Sequence, residues 1–255
     1  MKCSRSFLIA LFFAPVFLFG VARLEALHEK GLTDLMAAVR QGDAAAVNAL
    51  LGSGSAVNAK DDFGMSALMW AAAVDRSDMV KALLSAGADV NAANNSGYTA
   101  LIHAITLSHA EIVRILLEAR ADPYVKDING ITALKHAVDK DNLEIVRLLV
   151  EAGNDPNAPG NQGALVRPAH KGQTAIVQLL LKAGADVNAK DPDDEYESTA
   201  LMRASMAGRV DIVKILLAAG ANVEIGDVDG DSAVRYAELG GDPEIMKLLE
   251  QARGR

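Results

Sequence analysis

The chain has 255 residues, of which 51% are apolar, 23% are charged and only 4% are aromatic. The apolar fraction excludes an intrinsically disordered chain, and the formal net charge of −8 argues against a general nucleic-acid binder. Five of the six phenylalanines precede residue 20. The rest is rich in alanine and leucine, a composition that suits short, closely packed helices.

The N-terminus has the layout of a secretory signal peptide. Lys2 and Arg5 precede the uncharged apolar run of residues 7–22, which ends on small residues. This layout predicts cleavage after Ala22. The alternative is an uncleaved anchor, but a run this short that contains Pro15 is a poor membrane span.

Cleavage would leave a mature chain that begins with a short leader over residues 23–30. That chain would contain no cysteine, because Cys3 is the only one, and so no disulfide, thiol nucleophile or cysteine-bound zinc. The loss of two cations would also change the net charge from −8 to −10. We expect an exported protein, periplasmic or secreted, without stable membrane insertion after cleavage.

Beyond the leader, one pattern recurs at intervals of about 33 residues. Pairs of leucine-like residues begin at positions 50, 83, 116, 149, 180 and 216, and Leu249 follows. Thr-Ala-Leu-like segments begin at residues 66, 99, 132 and 199, and Gly-Ala-Asp-Val-Asn occurs at residues 87–91 and 184–188. Self-similarity at this period is the signature of a stacked-repeat architecture.

By these landmarks the chain resembles the ankyrin repeat family. The resemblance covers about seven units over residues 31–255 and implies an all-α solenoid, an ankyrin repeat stack with two helices and a β-hairpin loop per unit. The predicted repeats span about 31–63, 64–96, 97–129, 130–160, 161–196, 197–229 and 230–255.

Capping residues at matching positions support two helices per unit. Thr99 and Thr132 can cap the first helix, and Gly87 and Gly184 can end the second in a left-handed conformation. Arg120 stands where the other units have that glycine. A left-handed Arg120 would cost about 1 kcal/mol.

The fifth repeat is the least regular unit. Asn161 replaces its opening glycine, Gly163 replaces its threonine, and Pro168 falls inside its first helix, which we expect it to shorten or bend. The connection before this repeat is two residues shorter than standard, and its exit hairpin (191–196) is three residues longer. Because a solenoid is stabilised by its units and their interfaces, we expect this repeat to be the weakest.

Two motifs in the last hairpin suggest chemistry but fit the repeat pattern better. Asp227, Asp229, Asp231 and Glu238 fall at positions 1, 3, 5 and 12 of a calcium loop, but Ser232 stands where that loop needs glycine. Residues 230–232 (Gly-Asp-Ser) lack the second glycine of a hydrolase elbow. We predict no catalytic residue, no cofactor and no metal site, and leave weak calcium binding open.

The first helices also predict a binding surface. When each repeat is numbered from its opening glycine, positions 7, 10 and 11 lie opposite the buried face of the first helix. We predict a partner-binding groove formed by Trp70, His103, His136, Lys140, Arg167, His170, Lys171, Arg203 and Tyr236. Its cations favour an acidic partner surface, with Trp70 and Tyr236 as apolar anchors at its two ends. Equivalent positions on neighbouring helices lie about 8–10 Å apart, so His103 and His136 are not expected to share a metal ion.

The resemblance implies a non-enzymatic protein–protein interaction scaffold, here a monomer that binds a partner protein in its groove outside the cytoplasm. The alternative is a dedicated inhibitor or immunity protein of a periplasmic enzyme. An enzyme centred on residues 227–238 or on the histidines is a third class, disfavoured because the groups lack convergent geometry.

Overall fold

The computed structural model describes residues 31–253, which form fourteen α-helices in seven consecutive pairs. The first helices are α1 (Asp34–Gln41), α3 (Ala67–Ala73), α5 (Ala100–Thr106), α7 (Ala133–Asp139), α9 (Val166–Lys171), α11 (Ala200–Met206) and α13 (Ala233–Gly240). The second helices are α2 (Ala44–Gly52), α4 (Ser77–Ser85), α6 (Ala110–Glu118), α8 (Leu143–Glu151), α10 (Thr174–Lys182), α12 (Val210–Ala218) and α14 (Pro243–Arg253). The predicted all-α stack is confirmed. Within residues 31–253, no helix is long and apolar enough to cross a membrane.

The predicted helix caps are present. Thr99 Oγ1 accepts the backbone N–H of Ile102 at 3.3 Å, and Thr132 Oγ1 accepts that of Lys135 at 3.4 Å. Each bond satisfies one of the backbone donors that a helix leaves free in its first turn. The residues after the second helices adopt positive φ, +86° at Gly87 and +87° at Gly184.

The core consists of the recurring alanines and leucines. Two repeat positions are fully buried in nearly every unit. They are position 8, an alanine on the first helix (Ala71, Ala104, Ala137, Ala204 and Ala237), and the first leucine of the pair on the second helix (Leu83, Leu116, Leu149, Leu180, Leu216 and Leu249). Small side chains on the first helices let neighbouring repeats approach closely, while the leucines fill the space between the two helix layers.

The first helix of the fifth repeat is shorter than the others, as predicted. Helix α9 has six residues, whereas the other first helices have seven or eight. Pro168 is its third residue, inside the first turn, where no backbone N–H is needed for the helix. Tight turns replace the usual entry hairpin, with hydrogen bonds from Asn161 N to Ala158 O (2.8 Å) and from Val166 N to Gly163 O (2.8 Å).

A buried ion cluster reaches across this irregular repeat. Lys135 on α7 donates from Nζ to Asp191 Oδ1 at 2.9 Å and to Asp193 Oδ2 at 2.5 Å, while Lys135 and Asp191 are only 7% and 4% exposed. Gly163 has φ +69°, and a Cβ atom there would lie 2.4 Å from the Cα of Asp191. Charge therefore joins the fourth repeat to the exit hairpin of the fifth, and close backbone packing joins the entry of the fifth repeat to the same hairpin.

Arg120 adopts φ +62°, which confirms that it occupies the left-handed position after α6. We expect Arg120→Gly to raise the free energy of unfolding by about 1 kcal/mol, because glycine has no Cβ penalty in this region. Urea unfolding of both proteins measures the difference. The matched control is Gly153→Arg, at φ +87° and with open space around its Cβ position, which should lower stability by a similar amount. No gain in Arg120→Gly would contradict this explanation.

Candidate functional site

Most side chains at position 7 bind a hairpin of their own chain. In five repeats this side chain contacts the Asp or Asn nine residues before it; the pairs are Trp70–Asp61, His103–Asn94, His136–Asp127, Arg203–Asp194 and Tyr236–Asp227. The nitrogen–oxygen distance is 3.1 Å for both Trp70 Nε1–Asp61 Oδ2 and His136 Nε2–Asp127 Oδ2. We call these five position-7 residues the bracing side chains.

The Asp and Asn side chains that contact the bracing side chains also hold the hairpins in their folded conformation. Asp127 Oδ1 accepts the backbone N–H groups of Asn129 and Ile131 at 2.8 and 2.9 Å, and Asp227 Oδ1 accepts those of Asp229 and Asp231 at 2.9 Å. Each bracing side chain therefore holds a folded turn in place instead of presenting its polar atoms to a partner. The sequence analysis missed this role, although the recurrence of Asp or Asn nine residues upstream is visible in the chain.

The structure places the two predicted apolar anchors differently: Tyr236 is buried, whereas Trp70 is only partly buried. Tyr236 is only 6% exposed, and its hydroxyl donates to Asp227 Oδ2 at 2.7 Å. Trp70 is partly buried, and the Arg40 guanidinium lies 4.9 Å from the centroid of its ring. Tyr236 therefore presents little side-chain surface to a partner.

The positive charge of the predicted strip is also reduced. Arg203 is paired with Asp194, whose carboxylate accepts the Ser198 N–H as well. Burial raises the pKa of Asp194, but hydrogen bonds from Arg203 and Ser198 outweigh it, so that its pKa lies below the usual value. This part of the groove therefore carries a neutralised pair.

His103 and His136 are held in an environment that disfavours their charged forms. Asn94 Oδ1 accepts two backbone N–H groups, so its Nδ2 group faces His103 Nε2 at 3.3 Å. That ring nitrogen must accept, which requires a neutral imidazole. Burial lowers the pKa of His103 to about 4; burial also lowers that of His136, although Asp127 opposes the shift. The Tyr98 ring lies 5.4 Å from both imidazoles, edge to face.

Among repeats two to seven, only the fifth has a position-7 side chain that does not contact the residue nine positions before it. Ala158, nine residues before Arg167, offers no side-chain acceptor. Arg167 instead donates from Nη1 to Asp139 Oδ2 at 2.6 Å, and Lys171 Nζ lies 3.0 Å from the Asp139 carbonyl oxygen. Lys140 and His170 are adjacent in sequence to Asp139 and Lys171, and both are exposed. We call Lys140, Arg167, His170 and Lys171 the central cationic section.

Within residues 31–253, six large apolar side chains outside the predicted set of groove residues are exposed. Four are at hairpin tips and two are at groove positions 10 or 11 of a first helix; they are Phe63, Ile128, Tyr196 and Val228, and Val74 and Leu239. Among residues 31–253, no group of three or more His, Cys, Asp or Glu side chains could hold a metal ion.

The seven helix pairs and the braced hairpins define a stacked-repeat fold. The family model for ankyrin repeats matches residues 35–127, 120–191 and 189–254, so the chain belongs to the ankyrin repeat family. Domains of this family are usually non-catalytic modules that bind proteins.

Two solved structures are similar over nearly their whole length. The ankyrin repeat domain of Bcl-3, a unique member of the IκB protein family, has a TM-score of 0.77 and 29% identity, covering 87% of this chain and 100% of that one. The human ASB11 ankyrin repeat domain has a TM-score of 0.69 and 26% identity, covering 88% and 99%. A comparison with curated proteins gives no significant match.

Proposed function

We propose that this protein is a non-enzymatic, monomeric binding module that holds a partner protein in its groove outside the cytoplasm. The observation that carries the proposal is the central cationic section. It is the part of the groove where position 7 is free of hairpin bracing and where Arg167 and Lys171 share the carboxylate of Asp139 beside the exposed Lys140. Asp191 and Asp193 also attract Arg167, but both are paired with Lys135. Export rests on the signal-peptide pattern of residues 1–22, which lie outside the described residues.

An acidic partner surface fits this section. Arg167 and Lys171 are more than one-third exposed, so a partner carboxylate can reach the guanidinium and ammonium groups by displacing Asp139. Charge-assisted hydrogen bonds of this kind give orientation and a fast association rate more than they give affinity. We therefore expect association to slow as salt rises, because exposed charges are screened beyond about 8 Å at physiological ionic strength.

The experiment is partner capture from an extracytoplasmic fraction of a bacterial host, with the bound proteins identified and their association rates measured. The Arg167→Glu/Lys171→Glu variant should reduce the association rate with the captured partner by about tenfold or more. The control is Arg114→Glu/Arg147→Glu, which reverses two exposed charges on the second helices and should leave the rate nearly unchanged.

Two results would contradict the proposal. If the Arg167→Glu/Lys171→Glu variant binds the partner as well as the wild type does, at both low and high salt, the interface lies on another surface. An intact Met1 on membrane-bound protein, found by N-terminal sequencing of the same sample, would contradict export with cleavage. If the captured partner is a periplasmic enzyme blocked stoichiometrically, the scaffold is a dedicated inhibitor.

A further inference from the structure

The exposed apolar side chains are confined to one side of the molecule. All six large apolar side chains that are exposed within residues 31–253, each between 37% and 72% exposed, lie on hairpin tips or at groove positions. The second helices, which form the opposite layer, have none in the described part of the chain. Exposed apolar residues gathered on one side of a protein mark an interaction surface.

These six residues fall into two groups on either side of the central cationic section. Phe63, Val74 and Ile128 form the first apolar section; Phe63 is in the hairpin before the second repeat, Val74 follows helix α3 of that repeat, and Ile128 is in the hairpin after the third repeat. The hairpins are connected in a row, because Asn95 N donates to Phe63 O at 3.0 Å and Ile128 N to Ser96 O at 3.2 Å.

The second apolar section consists of Tyr196, Val228 and Leu239. Val228 N donates to Tyr196 O at 3.1 Å, which places two apolar hairpin tips side by side. Leu239 is on α13, at position 10 of the seventh repeat, and is 62% exposed. The tight turns at the start of the fifth repeat interrupt the row of hairpins between the two sections.

We infer that the groove has three parts and fits one continuous protein segment whose acidic centre is flanked by apolar residues on both sides. This inference rests on the proposed function and specifies the partner. Charge complementarity assigns the acidic residues to Arg167 and Lys171, and the two apolar sections bury side chains at the segment's ends.

The dimensions of the repeats set the length of that segment. Neighbouring first helices in a stack lie about 8–10 Å apart, and the hairpins of Ile128 and Tyr196 are two repeats apart, so the central section separates the apolar sections by about 16–20 Å. An extended chain advances about 3.3 Å per residue, and about five to six residues therefore span the centre. A segment with apolar residues at only one end would leave one of the two sections exposed.

A display selection on the full mature protein tests this inference. Immobilised protein selects binders from a library of random 20-residue peptides, and we expect enriched sequences in which Asp or Glu residues lie between two apolar clusters. An enriched peptide is then synthesised, and its affinity is measured for variants in each section.

Phe63→Ser, Leu239→Ser and Arg167→Glu/Lys171→Glu should each weaken binding of that peptide by about tenfold or more, because each removes one of three independent contacts. Arg147→Ser, an exposed change on α8, is the control and should leave the affinity unchanged. Urea unfolding of every variant confirms that the fold is retained.

Three outcomes would overturn the inference: no enriched peptide, enriched peptides without the acidic centre, or wild-type affinity of the peptide for either the Phe63→Ser or the Leu239→Ser variant. The proposed function fails separately. It is tested by the capture experiment and by N-terminal sequencing described above, neither of which uses the peptide library, so the two failures are distinguishable.

Discussion

Replacing Lys135 by methionine should destabilise the protein by about 3–5 kcal/mol, because it leaves a buried carboxylate without its cation. Methionine is the residue at the equivalent position of α3 and α11, Met69 and Met202, so its size and helix propensity suit the site. The loss would come from Asp191, which is 4% exposed and would keep only the Asp193 N–H as a hydrogen-bond donor to Oδ1. Urea unfolding measures the effect.

The control is the double change Lys135→Met/Asp191→Asn, which removes both charges and retains an acceptor for the Asp193 N–H. This variant should recover most of the lost stability. Because the cluster reaches across the fifth repeat, hydrogen exchange in Lys135→Met should speed up first around residues 161–174. Equal losses in the single and double variants would mean that Lys135 contributes packing and not charge neutralisation.

Acidification from pH 7 to pH 4 should lower stability through His103. Its pKa is about 4 in the folded chain and about 6.5 when unfolded, so below pH 6.5 the unfolded chain binds the proton more readily. The contribution of neutral His103 to the free energy of unfolding is complete above pH 6.5. It is lost as the pH falls towards 4, which lowers the free energy of unfolding by up to about 3 kcal/mol. His136 contributes in the same direction, because its pKa is also lowered.

The His103→Gln variant tests this assignment, since a glutamine carbonyl oxygen can accept from Asn94 Nδ2 without titrating. Its unfolding free energy, measured in urea at several pH values, should vary less between pH 6.5 and pH 4 than that of the wild type. The control, His170→Gln, changes an exposed residue and should keep the wild-type pH profile. Identical profiles for His103→Gln and the wild type would remove His103 as the cause.

The sequence analysis located features that depend on neighbours within one or two helical turns. The Thr99 cap, the left-handed Arg120 and the shortened α9 all follow from local backbone chemistry, and the structure confirms them. Four further left-handed residues that are not glycine, Asp75, Ser108, Asp141 and Glu197, were missed. The first three occupy the turn where other repeats have glycine at position 12, and Glu197 occupies the position of the opening glycine, so an alignment of the units would have found them.

By itself, the sequence determined the number of repeats, the helix pairs and the face of each helix that is buried, because apolar spacing and capping act locally and repeat along the chain. Only the tertiary structure decided which groove residues are available. Tyr236 is buried on Asp227, nine residues away, and Lys135 meets Asp191 across an entire repeat. Arg167 remains exposed because the short fifth-repeat entry provides no hairpin acceptor for it. Whether a polar side chain at the same repeat position braces a hairpin or faces a partner therefore depends on the acceptor that folding brings beside it.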